Sequence, residues 1–124
     1  AVETEGAASY AAALAAGAPV TLPAITSIAT SLGARRVMDH ALALASEHPI
    51  TSLVVSDAQA VQACAHFADT MRVLVEPACG ASIAALDAHP EVFARFKAPL
   101  IEVCGGMGVS LARLAQWRAD CGLD

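Results

Sequence analysis

Short apolar runs alternate along this chain with longer segments in which apolar residues recur every three or four positions. The short runs are typical of buried strands, and the periodic segments are typical of helices that pack one face on a core. The pattern predicts strands at residues 1–4, 51–55, 73–75 and 100–103. It predicts helices at residues 9–16, 35–47, 58–71, 81–88 and 110–118, and a helical turn at residues 27–32.

Residue types at the ends of these segments support several boundaries. Ser56 and Asp57 are favourable N-cap residues for the helix that follows the second strand, and Gly17 and Pro49 follow the ends of two other helices. Residues 77–80 predict a turn.

Strands that alternate with helices of about three turns favour an α/β fold with parallel neighbouring strands. We therefore expect a three-layer α/β/α architecture with a mostly parallel sheet. Ligands of such folds bind beyond the carboxyl ends of the strands. Two conspicuous segments follow predicted strands, namely EPACGA at residues 76–81 and CGGMG at residues 104–108.

Composition indicates one domain with an apolar face that is covered by something outside this sequence. The 124 residues are 56% hydrophobic but only 4% aromatic, which suggests closely packed helices and a further apolar face. The chain opens on Ala1 without an initiator Met, and we expect it to be the interior of a longer polypeptide. A net charge of -5 with seven basic residues argues against nucleic acid or an anionic membrane as partner.

The cysteines and the hydropathy pattern narrow the class of protein further, because they bear on metal sites, disulfides and membrane segments. Cys64, Cys79, Cys104 and Cys121 show neither C-x-x-C spacing nor a zinc-type His pattern, so neither a structural metal nor a disulfide framework is predicted. No run of 18 uninterrupted apolar residues occurs. The expected protein is soluble and cytoplasmic.

The glycine-rich turn that starts at Cys104 is, by itself, a weak signal. Glycines after a strand let a ligand approach backbone N–H groups near a helix N-terminus. The Gly105-x-x-Gly108 spacing misses the dinucleotide fingerprint, and no Walker A lysine follows. A buried thiol that only packs is an equally good interpretation of Cys104.

Six motifs taken together resemble one family, the serine and threonine dehydratases, which are pyridoxal-phosphate enzymes of the tryptophan-synthase-β type (fold type II). The resemblance is greatest to the liver-type serine dehydratases. The motifs are ETEGAAS at residues 3–9, LPAITS at 22–27, EHPI at 47–50, SD at 56–57, LVEPACGA at 74–81 and VCGG at 103–106. The resemblance implies that residues 1–124 form the C-terminal part of the cofactor-binding catalytic domain.

The resemblance implies three cofactor-binding positions in this chain. Cys104 would meet the pyridine nitrogen of pyridoxal 5'-phosphate, Gly105 would follow it in the same turn, and Ser31 would lie against the ring where close relatives carry Ala. A neutral thiol implies a mild electron sink, suited to β-elimination. The implied reaction converts L-serine to pyruvate, or L-threonine to 2-oxobutyrate, with release of ammonia.

A cation site is also implied by the family. The ion would be monovalent, such as K⁺, or divalent, and hard oxygen ligands suit either kind. The implied ligand positions are the side chain of Glu3, the carbonyl groups of Ala7, Leu32 and Ala34, and Ser9 where some relatives have an acidic ligand.

The family's Schiff-base lysine and Gly-rich phosphate loop lie upstream of the matched segment, so no catalytic residue is predicted in this chain. Lys97, the single lysine, lies outside the required Ser-x-Lys context and is interpreted as a surface residue. The expected partners are the missing N-terminal half, a small amino-acid substrate and a second copy in a homodimer. Two alternatives stay open: a non-catalytic stand-alone module of the same fold, and a related β-replacing or racemising enzyme.

Overall fold

The computed structural model describes residues 1–123. Two strands and six α-helices, with a 3₁₀ turn at Thr30–Leu32, make up its regular structure. In chain order they are β1 (Val2–Thr4), α1 (Ser9–Ala16), α2 (Asp39–Glu47), β2 (Leu53–Val55), α3 (Asp57–Met71), α4 (Pro77–Ala88), α5 (Pro90–Phe93) and α6 (Leu111–Asp120).

The two strands form a parallel sheet, as the alternation of strands and helices predicted. Val2 lies opposite Leu53 and Thr4 opposite Val55. The connection between them contains α1 and α2, because parallel neighbours need a crossover rather than a tight turn. The α/β fold class is therefore confirmed.

The core lies where α3 and α4 pack on each other and on the sheet. One cluster of buried side chains joins these helices to α6, and a second joins them to β2. The first contains Val61, Cys64, Val75, Cys79, Leu114 and Trp117, and the second contains Val55, Ala60, Ala81 and Ala84. Small residues dominate the second cluster, so the helices approach the sheet closely.

The helix α3 begins with a capping box that the sequence predicted only in part. The Ser56 hydroxyl accepts a hydrogen bond from the Gln59 backbone N–H at 3.2 Å, and the Gln59 side chain accepts one from the Ser56 N–H at 2.8 Å. Two N–H groups that the first turn would leave without partners are thereby satisfied.

Two of the four predicted strands do not form in the described part of the chain, so these predictions were wrong. Residues 73–75 and 100–103 have no strand assignment. A strand needs a ladder of repeated backbone hydrogen bonds to a neighbour. One backbone bond, from the Glu76 N–H to the Gly105 carbonyl at 3.1 Å, links the chain just beyond these two segments.

The predicted helix at residues 35–47 begins later, at Asp39. Arg36 pairs with Thr21 in an isolated antiparallel bridge, and the Arg35 carbonyl accepts a hydrogen bond from the Leu22 N–H at 2.7 Å. The bridge at Arg36 and the backbone of Met38 (φ −70°, ψ 146°) are extended rather than helical, so the helix begins only after them.

The turn predicted at residues 77–80 was wrong as well, because these residues form the first turn of α4. Pro77 occupies the first helical position, where a missing N–H costs nothing. The helices predicted at residues 9–16, 58–71, 81–88 and 110–118 are confirmed to within two residues at most boundaries. Within residues 1–123, none of the helices is both long enough and apolar enough to cross a bilayer.

Candidate functional site

Three segments that are distant in sequence surround one open cavity of about 430 Å³. They are the 3₁₀ turn, the start of α4 and the glycine-rich turn before α6. The lining residues are Ser31, Leu32, Glu76, Ala78, Cys79, Ser82, Glu102, Cys104, Gly105, Gly106 and Met107. The three predicted cofactor residues, Ser31, Cys104 and Gly105, thus lie around the same cavity. Their contact with a cofactor stays a prediction.

The glycine-rich turn favours glycine at two positions, for different reasons. Gly105 has a φ of +138°, which L side chains rarely adopt. At Gly106 a Cβ would collide with the Leu74 carbonyl oxygen and lie 2.7 Å from Val109 Cγ1. Gly106 was not among the predicted site residues, although its place in the Gly-Gly pair after Cys104 was the available signal.

Cys79 holds this turn against the start of α4. Its buried Sγ lies 3.4 Å from the Gly105 carbonyl oxygen, to which it donates, and 3.3 Å from the Cys104 amide nitrogen, from which it accepts. Cys79 lies in the motif at residues 74–81, but the sequence did not predict this contact. Nothing in the local pattern could have shown it, because the partners lie about 25 residues away.

The Cys104 thiol itself is exposed and faces a carboxylate. Its Sγ lies 3.6 Å from Glu102 Oε1. The hydrogen bond to Glu102, followed by the negative charge of the same carboxylate, raises the pKa of the Cys104 thiol above the ordinary 9.0. The thiol therefore keeps its proton at neutral pH. In this structure its single S–H points to Glu102, so donation to an acceptor in the cavity requires that the S–H turn away from this carboxylate.

Ser31 is fixed beside the cavity by two sets of contacts. Its hydroxyl donates to Glu76 Oε2 at 3.3 Å. The segment before it is anchored by Asp57, whose carboxylate accepts from the Ser27 hydroxyl at 2.6 Å and from the Ile28 N–H at 3.0 Å. Asp57 and Glu76 are thus the carboxylates that position Ser31. From the sequence, Glu76 before Pro77 had two interpretations, support of the site or a hydrogen bond to neighbouring backbone, whereas Asp57 was predicted only as an N-cap residue.

The predicted cation ligands do not form a ready-made cage. Both carboxylate oxygens of Glu3 accept backbone N–H groups of the first turn of α1, from Tyr10 and Ala11, each at 2.8 Å. This places negative charge at a helix N-terminus, where it is favourable. No cluster of three His, Cys, Asp or Glu side chains suited to a metal occurs among residues 1–123.

The remaining proposed ligands lie in two separate turns. The Ala7 carbonyl accepts the Ser9 N–H at 3.0 Å, and the Leu32 carbonyl accepts the Ala34 N–H at 2.8 Å. Each carbonyl oxygen has a second lone pair. The cation site therefore stays a prediction. Lys97 is exposed, as expected for a surface residue, and does not line the cavity.

Comparisons with known proteins agree with the fold and with the family expected from the motifs. The family model described as "Pyridoxal-phosphate dependent enzyme" matches residues 1–105. The L-serine dehydratase/L-threonine deaminase of Homo sapiens is 44% identical over 131 residues, which is 99% of this chain and 40% of the human protein. The chain thus spans about 40% of the length of this curated relative.

Solved structures show the same similarity. A fungal L-serine ammonia-lyase from Rhizomucor miehei matches with a TM-score of 0.86 and 33% identity, over 95% of this chain and 39% of that one. The structure of maize serine racemase matches with a TM-score of 0.73 and 29% identity, over 95% of this chain and 38% of that one.

Proposed function

Since the chain belongs to the family of pyridoxal-phosphate dependent enzymes, we propose that the complete protein is an L-serine and L-threonine ammonia-lyase. It would release ammonia and form pyruvate or 2-oxobutyrate by β-elimination. Residues 1–124 would be the C-terminal part of its cofactor-binding domain. The covalent lysine and the phosphate loop would come from the missing N-terminal half.

The residues of the cavity fit pyridoxal 5'-phosphate. When bound, this cofactor supplies an electron sink for breaking bonds at the substrate Cα. The Cys104 thiol, kept neutral beside Glu102, would turn its single S–H from that carboxylate to the ring nitrogen and leave that nitrogen without a full proton. Ser31, held by Glu76, would bound one face of the ring. The Gly105–Gly106 backbone would allow close approach, and a Cβ at Gly106 would displace this turn because it would collide with the Leu74 carbonyl group.

The observation that carries the proposal is the convergence of Ser31, Cys79 and Cys104 on one cavity. In sequence these residues are separated by 48 and 25 positions (79 - 31 and 104 - 79). A thiol that keeps its proton favours elimination over reactions that need a strongly withdrawing ring, because it cannot hold the ring nitrogen in the protonated form.

The test is pyruvate release from L-serine by the complete gene product loaded with pyridoxal phosphate. We expect Cys104→Ser, which keeps a neutral donor, to retain activity. Cys104→Ala should lower kcat by roughly fivefold to tenfold, the effect of one hydrogen bond of about 1 kcal/mol. Cofactor uptake without release of pyruvate or 2-oxobutyrate would refute the lyase assignment.

A racemase is the second candidate, and the similarity to maize serine racemase favours keeping it. The same reaction mixture distinguishes the two, because a racemase forms D-serine while a lyase consumes L-serine and accumulates ammonia. Absence of cofactor uptake as well as of both products would instead support a non-catalytic module.

We further propose that Glu3 and Ser9, with the carbonyl groups of Ala7, Leu32 and Ala34, bind K⁺ or a divalent cation. The oxygen-only ligand set supports this proposal. If it is correct, K⁺ should raise the melting temperature of the complete protein, and Glu3→Gln should abolish that increase while exposed Glu5→Gln should not. If Glu3→Gln lowers the melting temperature by the same amount with and without cation, Glu3 acts only as a helix cap.

Assembly and location are proposals too. Exposed apolar side chains, including Leu100 at 96% and Met107 at 100% exposure, support coverage by the rest of the protein. We propose a cytoplasmic homodimer, for which light scattering should give twice the mass of the complete chain. The four free cysteines are compatible with a reducing compartment. A monomeric mass, or recovery from another cell fraction, would refute the corresponding part.

A further inference from the structure

Two thiols that lie next to each other at the cavity have different surroundings. Cys104 is exposed to solvent, whereas Cys79 is buried, with 4% of its surface accessible. The Cys79 sulfur lies 3.3 Å from the Cys104 amide nitrogen. One of the two sulfurs is therefore open to a small oxidant, while the other lies behind it and out of reach.

The spacing suits a disulfide. Because an amide nitrogen lies about 1.5 Å from its own Cα, the Cys104 Cα must lie within about 5 Å of the Cys79 sulfur. The Cys104 side chain is exposed; its sulfur lies 3.6 Å from Glu102 Oε1, and it is close enough to Cys79 for that thiol to contribute to the raised pKa of Cys104. Rotation about its χ1 angle can therefore turn its sulfur from Glu102 towards Cys79 without moving packed groups.

We propose that Cys79 and Cys104 form a reversible disulfide when the cavity is empty and a peroxide is present, and that this disulfide blocks the cofactor site. The block rests on the proposed function, since it removes the Cys104 thiol that would face the ring nitrogen. The bond itself rests only on the placement of the two sulfurs.

The chemistry uses one hydrogen peroxide for each disulfide. Peroxide reacts with the thiolate, and Glu102 raises the pKa of the Cys104 thiol, so at neutral pH only its minor thiolate form reacts. The Cys104 thiolate attacks one peroxide oxygen, the O–O bond breaks, and the second oxygen leaves as water after taking up the proton that the thiol released, so that a sulfenic acid remains. The Cys79 sulfur then attacks the Cys104 sulfur, the S–O bond breaks, and a second water leaves with the Cys79 proton. Two thiols are oxidised, and the peroxide is reduced to two waters.

The first test is peptide mapping of the complete gene product after peroxide treatment, with and without bound pyridoxal phosphate. We expect a peptide pair linked through Cys79 and Cys104, about 2 Da lighter than the two reduced peptides together. Dithiothreitol should separate the pair. Bound cofactor should suppress the link, and the linked protein should bind pyridoxal phosphate roughly tenfold or more weakly, because a hydrogen bond and free space are both lost.

Three single substitutions serve as controls. Cys79→Ser and Cys104→Ser should each abolish the link, and exposed Cys104 is the substitution that does not disturb the core. Cys121→Ser, at a cysteine outside the cavity lining, should leave the link unchanged. In Cys79→Ser, Cys104 should proceed to the sulfinic acid because no second thiol intercepts the sulfenic acid.

The proposal is overturned if Cys104 oxidises to the sulfinic acid in the unsubstituted protein, or if Cys79 links to its other neighbour, Cys64. Equal linkage with and without the cofactor would overturn the competition between them. Failure of the proposed enzyme function would appear separately, as absent cofactor uptake or absent product, while the linked peptide would still be scored.

Discussion

Gly80 offers the sharpest test of how the fold supports the cavity. It lies in the first turn of α4 and faces α3. A Cβ at this position would collide with the Ala60 carbonyl oxygen and lie 2.5 Å from the Cys64 sulfur. Both neighbours are fully buried, so neither can swing into solvent. Gly80→Ala therefore forces the two helices apart.

Two opposing contributions set the size of the effect. Overpacking a core costs about 1–3 kcal/mol, and a clash with a backbone carbonyl belongs at the upper end, at about 3 kcal/mol. Alanine is a better helix former than glycine by about 1 kcal/mol. The net expected loss is about 2 kcal/mol, which corresponds to roughly thirtyfold faster hydrogen exchange for amides that exchange through opening of α3 and α4.

The substitution should also weaken cofactor binding, because Cys79 directly precedes Gly80 and holds the turn at Cys104 in place. We would measure hydrogen exchange by mass spectrometry and cofactor affinity in the complete protein. Gly108→Ala is the matched control for stability, since its Cβ would meet only the Glu76 carboxylate, at 3.7 Å. Exchange in Gly80→Ala that is as slow as in the unsubstituted protein would refute the reasoning.

Three other substitutions probe single contacts. Ser56→Ala removes half of the capping box and should cost about 1 kcal/mol, seen as faster exchange at the start of α3. Asp57→Ala leaves the Ile28 N–H without its acceptor and leaves the Ser27 hydroxyl only the Thr4 hydroxyl as an acceptor. It should cost about 2 kcal/mol and weaken cofactor binding in a fluorescence titration, because Ser31 loses its anchor. Burial raises the pKa of the Cys64 thiol from 9.0 to about 12, so the unfolded chain releases this proton first and urea midpoints should fall as pH rises from 9 to 12.

Each of these has a control and an opposing result. Ser46→Ala, at an exposed hydroxyl, should leave hydrogen exchange at the start of α3 unchanged. If Ser46→Ala and Ser56→Ala accelerate this exchange equally, the effect of Ser56→Ala does not come from the lost cap. If Asp57→Ala leaves the cofactor affinity unaltered, Asp57 does not position Ser31 for cofactor binding. Cys64→Ala should flatten the alkaline loss of stability, and a pH profile identical to that of the unsubstituted protein would assign the loss to other groups.

Some features of the cavity could be predicted from the sequence, and others depended on tertiary contacts. The motifs indicated the family, and the resemblance to it implied three of the residues that line the cavity, Ser31, Cys104 and Gly105. The geometry of Cys79, Glu76 and Asp57 was not predictable, since each acts on groups that are about 25 to 45 residues away in the chain. Such contacts leave no trace in local periodicity.

What the sequence by itself determined was the set of local elements and their class. The periodic segments produced α1, α3 and most of α4, because helical hydrogen bonds and caps join residues a few positions apart. Only the tertiary structure decided that residues 73–75 and 100–103 lack a strand ladder, that α2 begins at Asp39, and that Glu3 caps α1. Each of these depends on a backbone or side-chain partner that approaches from another part of the chain, and an apolar or acidic residue carries no local record of which partner it will meet.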